Sequence, residues 1–393
     1  MAKQQTSSRV GFFTESLIRE MTRVNNRYGA INLAQGFPDF EPPQEIVDWA
    51  KQALDEGFHQ YAITWGSPSI RKAIADKFGW FNGVEVDPER HVTIVCGGTE
   101  AMMATMLAVV NPGDEIIVFE PFYENYGPDA LLSGGKPVFV PLHQEGDSFV
   151  FDRDELRRAF NKKTRAIVVN TPQNPTGKVF TLKEMQYIAE LCIEYDVLAL
   201  TDEPYEHIIF DGLEHVTMAA LPGMAKRTVT TNSASKTYSV TGWRVGWTIA
   251  LDETIATAIR RIHDFLSIGA AAPLQEAVAK AMYMPKSYYA ELAAGYQARR
   301  DSVVSTLRDA GFECVTPRAA YYVMTRYPDC GYDDDLKFSH FLSEKVGITP
   351  VPGRAFYHDP ALAKPYVRFA FPKKLDTLER VRERMAKLHE FRK

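Results

Sequence analysis

Short runs of apolar and β-branched residues alternate with amphipathic helical stretches over the first two-thirds of the chain. The runs His91–Cys96, Glu115–Phe119, Pro137–Pro141, Ala166–Asn170, Val197–Thr201, Thr228–Asn232 and Gly246–Ala250 read as strands. Thr99–Val110 and Leu182–Tyr195 are two of the helical patterns between them. This alternation predicts an α/β fold, a mostly parallel seven-stranded sheet with helices on both faces. Ligands on such sheets sit beyond the carboxyl ends of the strands, where the polar residues of this chain cluster. After about Met282 the texture changes. A long helical stretch, Ser287–Ala310, leads into strands at Gly311–Val315, Ala320–Thr325 and Tyr366–Phe371, and Leu375–Phe391 closes the chain as a helix. The pattern predicts an arm at residues 1–44 packing on the small domain, a large domain at 45–283 and a smaller α+β domain at 284–393. The arm is too short to fold alone.

Composition narrows the function. The 393 residues leave room for two domains. Lys plus Arg is 45 against 50 for Asp plus Glu, a net charge of −5, which argues against a nucleic-acid partner. No apolar run reaches the roughly 20 residues of a membrane span, and Met1–Arg9 has no apolar core for a signal peptide. Cys96, Cys192, Cys314 and Cys330 form no C-x-x-C pair, so free thiols in a reducing cytoplasm are expected.

The densest chemistry lies in Thr231–Arg244. Lys236 stands among Ser233, Ser235 and Thr237, with Arg244 eight residues on. Hydroxyls and a guanidinium suit a phosphate, and a nearby cation lowers a lysine pKa, as a Schiff-base lysine needs. Ser233-Ala234-Ser235-Lys236 also fits the S-x-x-K of acyl-serine enzymes. That reading fails because Tyr123-Glu124-Asn125 precedes it and no K-T-G follows. Upstream, the strand ending at Asn170 runs into Thr171-Pro172-Gln173-Asn174-Pro175-Thr176-Gly177, and the next runs into Asp202-Glu203-Pro204-Tyr205. Pro172 and Val179 exclude a Walker loop at Gly177-Lys178. With no H-E-x-x-H and no histidine pair at ligand spacing near a cysteine, no metal is expected, and His207 and His263 read as structural.

Taken together, these segments resemble the fold-type I, pyridoxal-phosphate-dependent aminotransferases of class I/II, over about Ile31 to Phe371. Asn174, Asp202, Lys236 and Arg244 follow in the family's order, at intervals of 28 (202 − 174), 34 (236 − 202) and 8 (244 − 236). Ile31–Phe40 and Asn170–Pro175 are most similar to the kynurenine aminotransferase/glutamine transaminase K branch. N-succinyldiaminopimelate and methionine or aromatic aminotransferases lie close to the same pattern.

The resemblance implies transfer of an L-amino acid's amino group to a 2-oxo acid by a ping-pong mechanism, with pyridoxal 5'-phosphate as cofactor. Lys236 would carry the cofactor as a Schiff base and then move the proton between the substrate Cα and the cofactor. Asp202 would pair with the ring nitrogen, and Asn174 and Tyr205 would bind the phenolic oxygen. Tyr123 would stack on the ring. Gly98 and Thr99, opening a helix, would form a phosphate cup with Ser233, Ser235 and Arg244. Tyr61 would reach the neighbouring subunit's phosphate, which makes the active unit a homodimer with shared sites. Arg368 would bind the substrate α-carboxylate, with Asn174 and the backbone at Gly36 beside it.

Carbon–sulfur β-elimination on the same cofactor is the alternative activity, and an aminotransferase-like regulatory domain a remote one. Three positions depart from the family. Ser267–Pro273 has small residues where kynurenine-type enzymes carry aromatics, Ala319 replaces a usual Gly, and Arg354 replaces a usual Ser or Thr. Arg354 reads either as the partner of a second substrate carboxylate or, more commonly for an arginine, as one half of a surface ion pair.

Overall fold

The computed structural model describes residues 6–392, so Met1–Gln5 of the expected arm lie outside the described residues. Its main sheet has eight strands in the order Val92–Val95, Gly246–Ala250, Thr228–Ser233, Leu198–Asp202, Thr164–Asn170, Glu115–Glu120, Lys136–Glu145, Ser148–Phe151. The middle of the sheet is parallel, and Gly246–Ala250 runs antiparallel to both neighbours. The six strands from Val92–Val95 to Glu115–Glu120 in that order are buried almost throughout, as a sheet covered on both faces requires.

All seven predicted strands are present; the eighth is new. Lys136–Glu145 pairs in parallel with its inner neighbour as far as Pro141, then turns back through Gly146 into an antiparallel hairpin with Ser148–Phe151. Only Phe149 and Phe151 mark that short strand in the sequence, and both are buried.

Local signals fix the helices around the sheet. Thr181 and Glu184 form a reciprocal capping box at the start of Leu182–Tyr195, and Asp196 ends that helix in the left-handed region. The helix Gly98–Val109 begins directly after the first strand, at Gly97 with φ +88°. A Cβ at Gly97 would collide with the Arg244 guanidinium, and one at Gly246 would lie 2.5 Å from the Gly97 carbonyl carbon. Strand, turn and arginine therefore meet only because both positions lack a side chain.

The C-terminal part builds a four-stranded antiparallel sheet of Glu313–Cys314, Tyr322–Arg326, Tyr366–Ala370 and Val351–Pro352. The helices Lys286–Asp309 and Leu375–Met385 pack against each other and share its apolar core through residues such as Val303, Leu307, Leu378 and Val381. The predicted last helix ends at Met385 and continues as a 3₁₀ stretch, Ala386–Phe391. Ile31–Asn32 pairs in parallel with Ile348–Thr349, and the helix Leu17–Tyr28 packs near the same strand. These pairings bring Ala34 up to Arg368, and Gly36 up to Tyr321.

Gly246→Ala must open the contact with Gly97. We expect a loss of about 1–3 kcal/mol in unfolding free energy, the usual range for overpacking, read from the urea midpoint. Gly242→Ala, facing open space, should stay within about 0.5 kcal/mol of wild type.

Candidate active site

Three parallel strands end at one level. Asn170 lies opposite Asp202, and Asp202 opposite Thr231. Just past these ends the chain places Asn174, Tyr205 and Lys236. They line a cavity of about 200 Å³ together with Gly98, Thr99, Tyr123, Asp202, Ser233, Ser235 and Arg244.

Lys236 projects into this cavity from the short helix Ala234–Thr237. Its Nζ donates to the Gly36 carbonyl at 3.4 Å and lies 5.6 Å and 5.9 Å from the ring centres of Tyr321 and Tyr205. Among the described residues no carboxylate forms an ion pair with it. Loss of water pushes its pKa below the lysine range, and the positive charges of Arg244 and Arg368 push the same way.

Asp202 accepts from the Tyr126 hydroxyl at 2.6 Å and from Thr231 Oγ1 at 3.2 Å. Burial raises its pKa to about 6, against the opposing pull of those two hydrogen bonds and of Lys236. Asn170 ties the strand ends together: its Nδ2 donates to the Asp202 carbonyl at 2.8 Å, and its Oδ1 accepts the Asn174 N–H at 2.7 Å.

Arg368 is 1% exposed in the middle of its strand. Its guanidinium donates to Asn174 Oδ1 at 2.9 Å and to the Ala34 carbonyl, and lies 4.3 Å from the Tyr322 ring centre and 4.7 Å from that of Phe356. Its Nε has no partner. Tyr322 also exchanges a hydrogen bond with Tyr205 at 3.1 Å and fills the space where a side chain at Gly36 would go. Arg244, at φ +54°, donates to the Thr241 carbonyl at 3.0 Å and lies against Gly97 at the start of the cup.

The fold thus gathers ten of the expected residues around one cavity. Gly36 and Arg368 flank it and join through Lys236, Tyr321 and Asn174. Tyr61 stands apart, 84% exposed on a loop outside the cavity. Arg354 is paired with Asp334 at 2.6 Å and Asp335 at 2.5 Å, so the ion-pair reading describes it. His207 is buried against Phe81 and Tyr289. His215 Nε2 donates to Glu203 Oε2 at 2.8 Å, and Glu203, Glu206 and His215 lie close enough together to resemble a cation site. The Lys77 ammonium, paired with Glu206, already supplies positive charge there.

Asn170, Tyr126, Thr231 and Tyr322 were not singled out from the sequence. Asn170 and Thr231 lie at strand ends in register with Asp202, a signal available once strand pairing is known, whereas Tyr126 reaches Asp202 from the start of the helix Tyr126–Leu132. Asp129 carries no such signal. Its carboxyl lines the cavity, 3% exposed, with Oδ2 unpartnered, and burial together with the Asp202 charge holds its pKa well above the carboxylate range.

Residues 28–385 match the family Aminotransferase class I and II. This chain belongs to that family. It is 38% identical over 394 residues to a probable N-succinyldiaminopimelate aminotransferase of Mycobacterium tuberculosis, covering 98% of this chain and 99% of that protein. It is 34% identical over 418 residues to kynurenine–oxoglutarate transaminase 1 of Homo sapiens, with 98% and 99% covered. The solved structure of N-succinyldiaminopimelate aminotransferase from Mycobacterium tuberculosis superimposes with a TM-score of 0.94, covering 98% of this chain and all of that one. The chain is a fold-type I aminotransferase, an enzyme that moves an amino group from an amino acid to a 2-oxo acid. Neither β-elimination nor a regulatory role is favoured by these matches.

Asp129 makes stability depend on pH. Its folded pKa lies above its unfolded one, so the stability it allows is complete below the ordinary carboxylate range and is lost as pH rises through the folded value. Asp129→Asn should match wild type near pH 3, below the ~3.9 of an unperturbed aspartate. By pH 8 it should exceed it by about 1–3 kcal/mol, the cost of an unsatisfied buried polar group, read from urea unfolding of the cofactor-free protein. Parallel pH profiles would show that Asp129 stays hydrated.

Proposed function

We propose that this aminotransferase binds pyridoxal 5'-phosphate through Lys236 and positions its substrates with Arg368. The observation that carries the reading is a lysine amine in a water-poor cavity with no carboxylate ion-paired to it, facing a carboxylate that is itself buried. Such an amine is held toward the neutral, nucleophilic form. The donor set fits the cofactor. Backbone N–H groups at the start of Gly98–Val109, the Ser233 and Ser235 hydroxyls and Arg244 suit a phosphate. Asp202 suits a ring nitrogen, Asn174 and Tyr205 suit a phenolic oxygen, and Tyr123 suits a ring face.

When bound, the cofactor supplies an electron sink for the carbanion formed at the substrate Cα. The chain's residues do the rest. Asp202 holds a proton-bearing ring nitrogen by its negative charge, and the Tyr126 and Thr231 hydroxyls favour that charge. Lys236 takes and returns the proton at Cα, which its lowered pKa allows near neutral pH. Arg368 receives the α-carboxylate on its planar fork, using the side on which Nε is unpartnered, while Asn174 and Ala34 keep the fork fixed. Gly36 adds its backbone beside it.

The proposal extends to a homodimer in which Tyr61 serves the neighbouring subunit's phosphate. Tyr61, Ile63, Phe265, Leu266 and Ile268 leave apolar side chains exposed on a loop and on the end of the helix Glu253–Leu266 with the turn after it, which meet where His263 donates to Thr64. The division into an arm at 1–44, a large domain at 45–283 and a small domain at 284–393 belongs to the same reading. So does a cytoplasmic location, supported by four free cysteines. Among the described residues no helix is long and apolar enough to cross a membrane. The substrates proposed are an L-amino acid and a 2-oxo acid, with the relatives' N-succinyldiaminopimelate and kynurenine as the first amino donors to test.

Lys236→Ala should lose turnover by at least about 10²–10⁴-fold, the range for removing a general base, while equilibrium dialysis still detects bound cofactor. Substantial remaining turnover would sink the assignment. Arg368→Ala should lower kcat/KM about 10- to 150-fold for every amino acid and 2-oxo acid alike, matching the loss of a charged hydrogen bond. A loss confined to dicarboxylic substrates would mean that Arg368 reads the side chain instead.

A further inference from the structure

We infer that the Glu100–His263 pair couples occupancy of the phosphate cup to the dimer-facing loops, an inference that rests on the shared-site reading above. Glu100 lies in the first turn of the helix Gly98–Val109. A glutamate there is an ordinary partner for free N–H groups, and its Oε2 accepts the Cys96 N–H at 2.5 Å, spanning the Gly97–Gly98 bend. Its other oxygen does something a cap does not need. Oε1 accepts from Ser267 Oγ at 2.7 Å and from His263 Nδ1 at 2.8 Å, both more than 160 residues away in the chain.

His263 is fully buried at the last turn of Glu253–Leu266, and its Nε2 donates to the Thr64 carbonyl at 2.9 Å. Both ring nitrogens face oxygens, so the ring is tied on each side, to Glu100 and to Thr64. Cys96 Sγ adds a second tie to the Gly269 carbonyl at 3.6 Å.

Three segments therefore share one set of hydrogen bonds: the cup at Cys96–Glu100, the turn at His263–Gly269, and the loop with Thr64, three residues after Tyr61. The last two carry the exposed Tyr61, Phe265 and Ile268. An anion seated on the cup orders the helix start that holds Glu100. Ordering Glu100 lowers the entropy that the two loops must lose when a second copy covers them. The converse holds by linkage, so association of the copies strengthens the cup by the same factor. His263 and Glu100 touch neither cofactor nor substrate in this scheme; they are positioning residues.

The test uses the full-length enzyme. Isotope-labelled and unlabelled subunits are mixed, and the rate of hybrid-dimer formation is followed by native mass spectrometry without and with saturating pyridoxal 5'-phosphate. In wild type the cofactor should slow exchange. The ratio of the two rates should fall at least about fivefold in His263→Ala, within the usual span of coupling between sites. Ser267→Ala, a milder change at the same Glu100 oxygen, should lower it by about twofold or more, and it reports even if His263→Ala does not fold. A purely structural role would speed exchange equally in both conditions. A wild-type ratio above one that neither variant changes overturns the coupling alone. A wild-type ratio of one overturns it together with the shared-site reading.

Discussion

The register of three parallel strands is the constraint on which the rest depends. Backbone hydrogen bonds fix Asn170, Asp202 and Thr231 opposite one another, at the end of a sheet that both faces bury. A slip of one residue would turn each side chain to the other face. Everything beyond the strand ends inherits this level: Asn174 hangs from Asn170, Tyr205 follows Asp202, and Lys236 follows the strand that ends at Ser233. The site is therefore as rigid as the core beneath it.

That rigidity allows charges to be held where they are costly. Lys236, Asp202 and Arg368 all sit in surroundings that disfavour their charged forms. None forms an ion pair among the described residues; each is held by hydroxyls, carbonyls or an amide. An enclosed ion pair would satisfy them and leave nothing to bind a ligand. The arrangement stores unsatisfied polarity for the molecules it receives, and the folded core supplies the stability to keep it.

The periphery works differently. Tyr61 and its neighbours leave apolar surface exposed, whereas the polar junction behind them is buried. A monomer with such loops exposes surface that a second copy of the chain can cover. The contrast separates two regions: buried polar groups gather at the sheet ends, and exposed apolar side chains gather at the segments tied to Glu100.

The sequence alone determined the α/β class, because strand and helix periods are local properties written into side-chain spacing. It also singled out Lys236, Asp202, Asn174 and Arg244, since ordered motifs at fixed intervals carry those residues, and Arg368 through the family resemblance. Only the tertiary structure decided which other groups face them. Tyr126 and Thr231 reach Asp202 because separate strands and a helix converge there, and Asp129 enters the cavity as one buried carboxyl with no local mark. Arg354 shows the same limit: its acidic partners lie 19 and 20 residues away and become visible only when the chain folds back. His263 read as a structural histidine, and its donors and acceptors joined three segments only through packing. Spacing along the chain encodes what a residue can do. Proximity across the fold decides what it does it to, because hydrogen bonds and desolvation act over a few ångströms of space, whatever the distance in sequence.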